Sequence, residues 1–399
     1  MRSTLELADI INKFYDEPFR QRIPVYKQRT LGALTQCRTA ALGGHIDACD
    51  RCDHTKISYN SCRNRHCPKC QGLKKEMWAI QREEELLPIA YFHLVFTLPH
   101  ELNGLCSYNP RLMYNLLFES AWYVLQTFAN DPLWLGAKSA ATMVLHTWSQ
   151  KLTLHPHVHC IVPSGGLAAD GKWQRSRKGN ANFLYPVLAM NQVYKAYFLK
   201  ILKGYLKGNE LKLPKKSPIG KAYYNWKEIL YKKEWVVYTK PPFGGAHNVV
   251  KYLSRYSHRA AITNQRITDI TDDQVTFRYK DYKAGGIHKP TTVNGQEFLK
   301  RFCHHILPPR FRKVRHRGFL ANASKKKSLT LARRSLGEAL LVAMSKQERK
   351  DLAKQRIFGV SVNHCPCCKK GQMITMDVFA PNKDPPIAFM SPNDVNVSF

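Results

Sequence analysis

Apolar and polar positions along the chain already mark out its elements. Leu5, Leu7, Ile10, Ile11 and Phe14 recur at helical spacing, which predicts a short amphipathic helix near residue 10 and a basic connector after it. Residues 31–75 show little periodicity. A charged helical stretch around Lys74–Leu87 then ends at Pro88. Tyr91–Leu98 reads YFHLVFTL, a strand rich in aromatic and branched residues. Tyr108–Phe128 carries Tyr114, Phe118, Trp122 and Phe128 and reads as a buried helix. Thr142–Trp148 and His157–Val162 are further strands, the second closed by a Gly165-Gly166 turn.

Residues 187–207 and 221–232 predict Lys-rich helices around a Pro/Lys loop, and Glu234–Lys240 a strand stopped by Pro241-Pro242. Gly244-Gly245 leads into a helix over His247–Ala260, and Val275–Tyr279 reads as a strand after an Asp272-Asp273 turn. Asn294 and Glu297 have the spacing of a capping box for a helix through Ile306. Strands and helices do not alternate as in a βαβ array, so the expected fold is α+β with a mainly antiparallel sheet. The last thirty or so residues are Pro/Asn-rich and read as a loosely ordered tail.

Charge changes the picture. The 399 residues include 62 Lys+Arg against 29 Asp+Glu, a formal net charge of +33, with an ordinary hydrophobic content of 44%. A folded chain with that surplus projects a wide positive potential, the footprint of nucleic-acid binding. No apolar run reaches the roughly 18 residues of a membrane span, and no signal-peptide core opens the chain. The expected location is cytoplasmic and nucleoid-associated, with DNA as partner and no membrane.

Six of the twelve cysteines lie between Cys37 and Cys70. Cys49-x2-Cys52 and Cys67-x2-Cys70 are two knuckles at the spacing of a tetrahedral structural Zn2+ site. Segment 31–75 is too poor in apolar residues to hold itself together without such a staple. Cys37, His45, Cys62 and His66 interleave with the knuckles. Pairing first with third and second with fourth makes a cross-braced module with a second zinc; equally, Cys62 and His66 can sit beside a single zinc without ligating it. Arg63 and Arg65 belong to a basic ring around the module that suits phosphate contacts. His364-Cys365-Pro-Cys367-Cys368 looks like half a zinc site, with Cys303, His304 and His305 as distant partner candidates.

Lys151–Val162 reads KLTLHPHVHCIV. His157 and His159 are two apart, so in a strand they project from one face and offer a pair of metal ligands. For a third ligand, Gln150 is preferred over His155 and His93. In GAHNVVKYLSRYSHRAAI, Tyr252 and Tyr256 are four apart and stack on one helix face, flanked by Lys251, Arg255 and Arg259. Alone, such a tyrosine pair is ordinary core packing. Beside a metal site, a phenol can attack a phosphodiester and conserve its bond energy in an aryl ester.

HPHVHCIVPSGG resembles the His-hydrophobic-His motif of HUH endonucleases, and KYLSRYSHRAAI their two-tyrosine motif. CRTAALGGH, CDRC and SCRNRHCPKCQ resemble the zinc-binding region of the IS91 family of rolling-circle transposases, and FCHHILPPRFRKVRHRGFLAN its downstream block. The resemblance spans residues 30 to 325. It implies nicking and joining of single-stranded DNA through a 5′-phosphotyrosine, assisted by Mg2+ or Mn2+. His157 and His159 are then metal ligands, and Tyr252 and Tyr256 nucleophiles. The terminal CPCCKK departs from the family's Cys-Pro-x-x-Cys-Gly-Gly.

The implied organisation is a helix and zinc module (1–87), an HUH-like antiparallel sheet flanked by helices with a Lys-rich insertion (88–265), a basic DNA-binding region (266–345) and a tail with a Cys cluster (346–399). The expected partners are single-stranded transposon ends and target DNA, with the host replication machinery. A plasmid or phage replication initiator or relaxase shares the chemistry. A non-enzymatic zinc-finger protein fits the charge and the knuckles but leaves the two catalytic motifs unexplained.

Overall fold

The computed structural model describes residues 5–179, 184–213, 223–240, 248, 250, 251, 254, 257–359 and 364–382. Two compact units emerge, each assembled from separated stretches of chain instead of consecutive segments.

The unit formed by Trp78–Ser257 and Leu307–Ala343 is built on an antiparallel sheet. Its strands are β3 (Tyr91–Thr97), β4 (Ala140–Trp148), β5 (Leu154–Pro163), β8 (Val236–Lys240) and β12 (Val314–Gly318), in the order β12-β4-β5-β3-β8. A short ribbon pairs β6 (Gly165–Leu167) with β7 (Trp173–Arg175). Period-two alternation sorts the side chains. Phe92, Leu94 and Phe96 of β3, Met143 and Leu145 of β4, and Val158, Cys160 and Val162 of β5 join one core with helices Pro110–Asn130 and Val187–Lys207. The opposite parity carries His93, His146, His157 and His159. On that second face Ala79, Tyr91, Ile161 and Val250 form a smaller buried cluster.

β12 was not legible in the sequence, where VRHRG reads only as part of a basic run. It pairs in register with β4, from Val314 opposite Val144 to Gly318 opposite Ala140. Its polar side chains are accommodated by aromatic and polar neighbours: the Arg315 guanidinium lies 4.1 Å from the Phe118 ring centroid, and His316 Nδ1 is 3.0 Å from the Thr142 hydroxyl. Gly318 has φ +65°, and a Cβ there would stand 1.8 Å from the Ser139 carbonyl oxygen, so only glycine closes this strand.

The other unit comprises Met1–Met77, His258–Ile306 and Met344–Phe399. One sheet has the order β13-β1-β2, with β1 (Gly44–Cys49), β2 (Thr55–Tyr59) and β13 (Met373–Phe379); another has the order β11-β10-β9, with β9 (Ile267–Ile270), β10 (Gln274–Asp281) and β11 (Ile287–Asn294). Helix Leu7–Phe14 buries Leu7, Ile10, Ile11 and Phe14, the stripe that its periodicity predicts. Helix Gly295–His304 starts so close to Phe14 that a Cβ on Gly295 would stand 2.3 Å from its ring. Asn294 caps this helix by accepting from the Gln296 N–H at 3.0 Å, while Glu297, expected to complete a capping box, accepts from Arg301 Nε at 2.8 Å.

β13 corrects the reading of the tail. Residues 373–379 are a strand paired with β1, because β1 offers its second edge to them while β2 takes the first. Every pairing among the described strands is antiparallel, as an α+β fold without βαβ units requires.

Candidate metal centre and thiolate clusters

β4 and β5 form a hairpin in which His146 stands directly opposite His157, and Val144 opposite His159. Three imidazoles therefore share one face, and His146, His157 and His159 each offer a ring nitrogen within 4.8 Å of the others. All three are buried. His157 Nδ1 donates to the His155 carbonyl at 2.7 Å, which fixes the tautomer and turns Nε2, a bare lone pair, toward His146 Nδ1 at 3.0 Å. His93 Nε2 lies 2.9 Å from His159 Nδ1.

Burial pushes His157 down to about 3 and His93 to about 4, and holds His159 well below the usual histidine value. The rings are therefore neutral at pH 7. Three buried imidazoles, each offering a ring nitrogen within 4.8 Å of the others, fit a divalent cation.

His146 joins His157 and His159 in one group of candidate ligands; the third ligand expected from the sequence is Gln150. Gln150 lies in the hairpin turn, beyond the Trp148–Leu154 pair, and the register shifts between His146 and Trp148. That irregularity decides which β4 residue faces His157, and local periodicity does not reveal it. The strand Thr142–Trp148 was recognised, and the parity of His146 within it was the available signal.

The cysteines also group differently from the expectation. One cluster is Cys37, Cys62, Cys67 and Cys70; the other is Cys49, Cys52, Cys365 and Cys368. In the first, Sγ–Sγ separations are 3.2 Å (Cys37–Cys70), 3.4 Å (Cys37–Cys67) and 3.7 Å (Cys62–Cys70). Zn–S bonds of about 2.3 Å put the edges of a tetrahedron at about 3.8 Å, so the first cluster fits zinc closely. Hydrogen bonding to Cys62, then to Cys67, lowers the Cys37 thiol to about 7.

Cys49 and Cys52 do not share a site with Cys67 and Cys70, because β1 carries them to its far end, beside the start of β13. His45 and His66 join neither cluster. His45 Nε2 is 3.4 Å from Asp47 Oδ2, and the His66 backbone N–H donates to Asn64 Oδ1 at 2.9 Å. Cys303, His304 and His305 likewise lie outside both clusters.

Among the expected DNA-contacting cations, Arg63 and Lys251 are exposed and Arg65 and Arg259 half-buried. Tyr252, Tyr256 and Arg255 lie outside the described residues. Val250, two positions before Tyr252, packs with Ile161 of β5 on the face that carries His157 and His159.

Residues 8–98 match the family model Zn_Tnp_IS91, a transposase zinc-binding domain, and residues 140–328 match Y2_Tnp, described as "Putative transposase". The chain is 40% identical over 394 residues to "Putative transposase y4qJ" of Sinorhizobium fredii, covering 96% of this chain and 98% of that one. It is 28% identical over 307 residues to the "Transposase for insertion sequence element IS801" of Pseudomonas savastanoi pv. phaseolicola, covering 73% and 70%. Among solved structures, the conjugative relaxase TrwC in complex with oriT DNA, in a metal-bound form, aligns with a TM-score of 0.24 at 14% identity over 44% of this chain and 67% of that one. With both family regions present, and a 40%-identical transposase matched along nearly its whole length, the chain belongs to the IS91 family of transposases.

Proposed function

We propose that this transposase nicks and rejoins single-stranded DNA at the ends of its element through a tyrosine–DNA phosphodiester. The observation that carries this reading is the trio of buried imidazoles, His146, His157 and His159, on one sheet face. Val250, packed on that face just ahead of the two-tyrosine motif, supports it.

In the forward step the phenol oxygen of Tyr252 or Tyr256 attacks the scissile phosphorus. A phosphorus–tyrosine oxygen bond forms, the bond to the 3′ oxygen breaks, the phenolic proton passes to water and the 3′ oxygen takes one up. His146, His157 and His159 would hold Mg2+ or Mn2+, which when bound draws charge from a non-bridging phosphate oxygen. Lys251, Arg255 and Arg259 position the strand through its phosphates, as do Arg63 and Arg65 from the zinc-binding region. The second tyrosine accepts a second strand, so exchange proceeds without a free 5′ end. The released 3′-OH can prime synthesis by the host replication machinery.

The test uses a labelled single-stranded oligonucleotide carrying the element end, with Mg2+ or Mn2+. The wild-type protein should form an adduct that survives denaturation, and the Tyr252→Phe/Tyr256→Phe double variant should form none. An adduct on the double variant would remove the tyrosines from the reaction.

A further inference from the structure

We propose that Cys49, Cys52, Cys365 and Cys368 form a four-thiolate zinc clamp that fastens residues 364–379 to the N-terminal zinc-binding region. Cys365 and Cys368 lie outside both family matches, which end at residues 98 and 328.

The two knuckles mirror each other. Cys49 Sγ accepts from the Arg51 N–H at 3.4 Å, and Cys365 Sγ accepts from the Cys367 N–H at 3.4 Å; Cys368 Sγ accepts from the Gly371 N–H at 3.3 Å. Backbone donors aimed at sulfur favour the thiolate that zinc requires. Across the knuckles, Cys49 is 3.7 Å from Cys368 and Cys52 is 3.7 Å from Cys365. Those distances match the edge of a zinc–thiolate tetrahedron, about 3.8 Å for Zn–S bonds of about 2.3 Å. They are far from the roughly 2.05 Å of a disulfide. The loop closes this tightly because residue 371 is glycine: a Cβ there would stand 2.4 Å from Cys49 Sγ and 2.6 Å from Asp50 Oδ1.

The clamp answers a packing problem. β13 exposes Ile374, Met376 and Val378 at 51%, 61% and 71%, so little apolar burial holds it on β1. Its attachment otherwise rests on ladder hydrogen bonds and on the exchange between Asp50 and Gln372, where the Asp50 N–H donates to the Gln372 carbonyl at 3.0 Å and the Gln372 N–H donates to Asp50 Oδ1 at 2.8 Å. A small, largely solvated three-stranded sheet needs a staple, and zinc supplies one. The N-terminal zinc-binding region is thereby completed by the far end of the same chain.

The experiment measures zinc per full-length chain under reducing conditions, together with amide exchange over 373–379. Cys365→Ser/Cys368→Ser should lose one zinc ion per chain relative to wild type and expose those amides. Cys367→Ser, at an exposed neighbour outside the cluster, should retain both properties. Unchanged zinc content in the double variant overturns the clamp. A readout on the wild-type protein guards against misfolding: stripping zinc with a chelator should raise alkylation of Cys49, Cys52, Cys365 and Cys368 together. Equal alkylation of Cys365 and Cys368 with and without zinc also overturns it.

Discussion

His93 Nε2 lies 2.9 Å from His159 Nδ1, with the two rings stacked at 17°. That engagement commits the other nitrogen of His159 to the trio with His146 and His157. For a metal held by that trio, His93 would act as a positioning residue. His93→Ala should weaken Mn2+ binding by about 10–100-fold, the usual effect of losing a partner behind a metal-bound histidine. His93→Gln, which can still hydrogen-bond, should recover part of the loss. Titration calorimetry on the zinc-loaded protein checks this, and equal affinity in wild type and His93→Ala would remove the role.

A trio of His146, His157 and His159 makes different demands on His146 and on Gln150. His146→Ala should abolish specific Mn2+ binding and adduct formation, whereas Gln150→Ala should leave Mn2+ affinity within about threefold, consistent with a turn residue outside the ligand set. A site built from three nitrogens also favours Mn2+ over Mg2+, since imidazole suits later, softer cations better than hard ones. Competition binding of the two ions would show it, and a preference for Mg2+ would count against the trio.

His316 makes stability depend on pH. Burial, then the Arg82 charge, lowers it to about 3, and its Nε2 is 2.7 Å from Arg82 Nη1. The folded value lies below the unfolded one, so the unfolded chain takes up the proton first and stability falls as pH drops below about 6.5. Between pH 7.5 and 5.5 this one residue costs about 1.4 kcal/mol. His316→Gln, which does not titrate, should lose correspondingly less than wild type over that interval. Urea midpoints at the two pH values decide, and parallel losses would contradict the assignment.

Gly318→Ala should destabilise the edge of the sheet. A left-handed residue with a side chain costs about 1–2 kcal/mol, and the new methyl would press on the Ser139 carbonyl. A lowered urea midpoint is the expected result.

Alternation alone made β3, β4 and β5 readable and put His157 and His159 on one face, because covalent geometry sends successive side chains of a strand to opposite sides. The knuckle spacings and the family motifs were equally local. Strand β12 was hidden because Arg315 is accommodated by Phe118, and His316 by Thr142 and Arg82, none of them near in sequence.

What only the tertiary structure decided is which local pieces meet. His146 faces His157 because a one-residue shift in the β4–β5 hairpin sets the register, and a slip of one residue turns a side chain to the other face. Cys49 meets Cys368 across 319 positions because β13 pairs with β1. Closing a long loop costs only logarithmically more than closing a short one, so nearness in sequence did not select Cys67 and Cys70 as the partners of Cys49 and Cys52; strand pairing did.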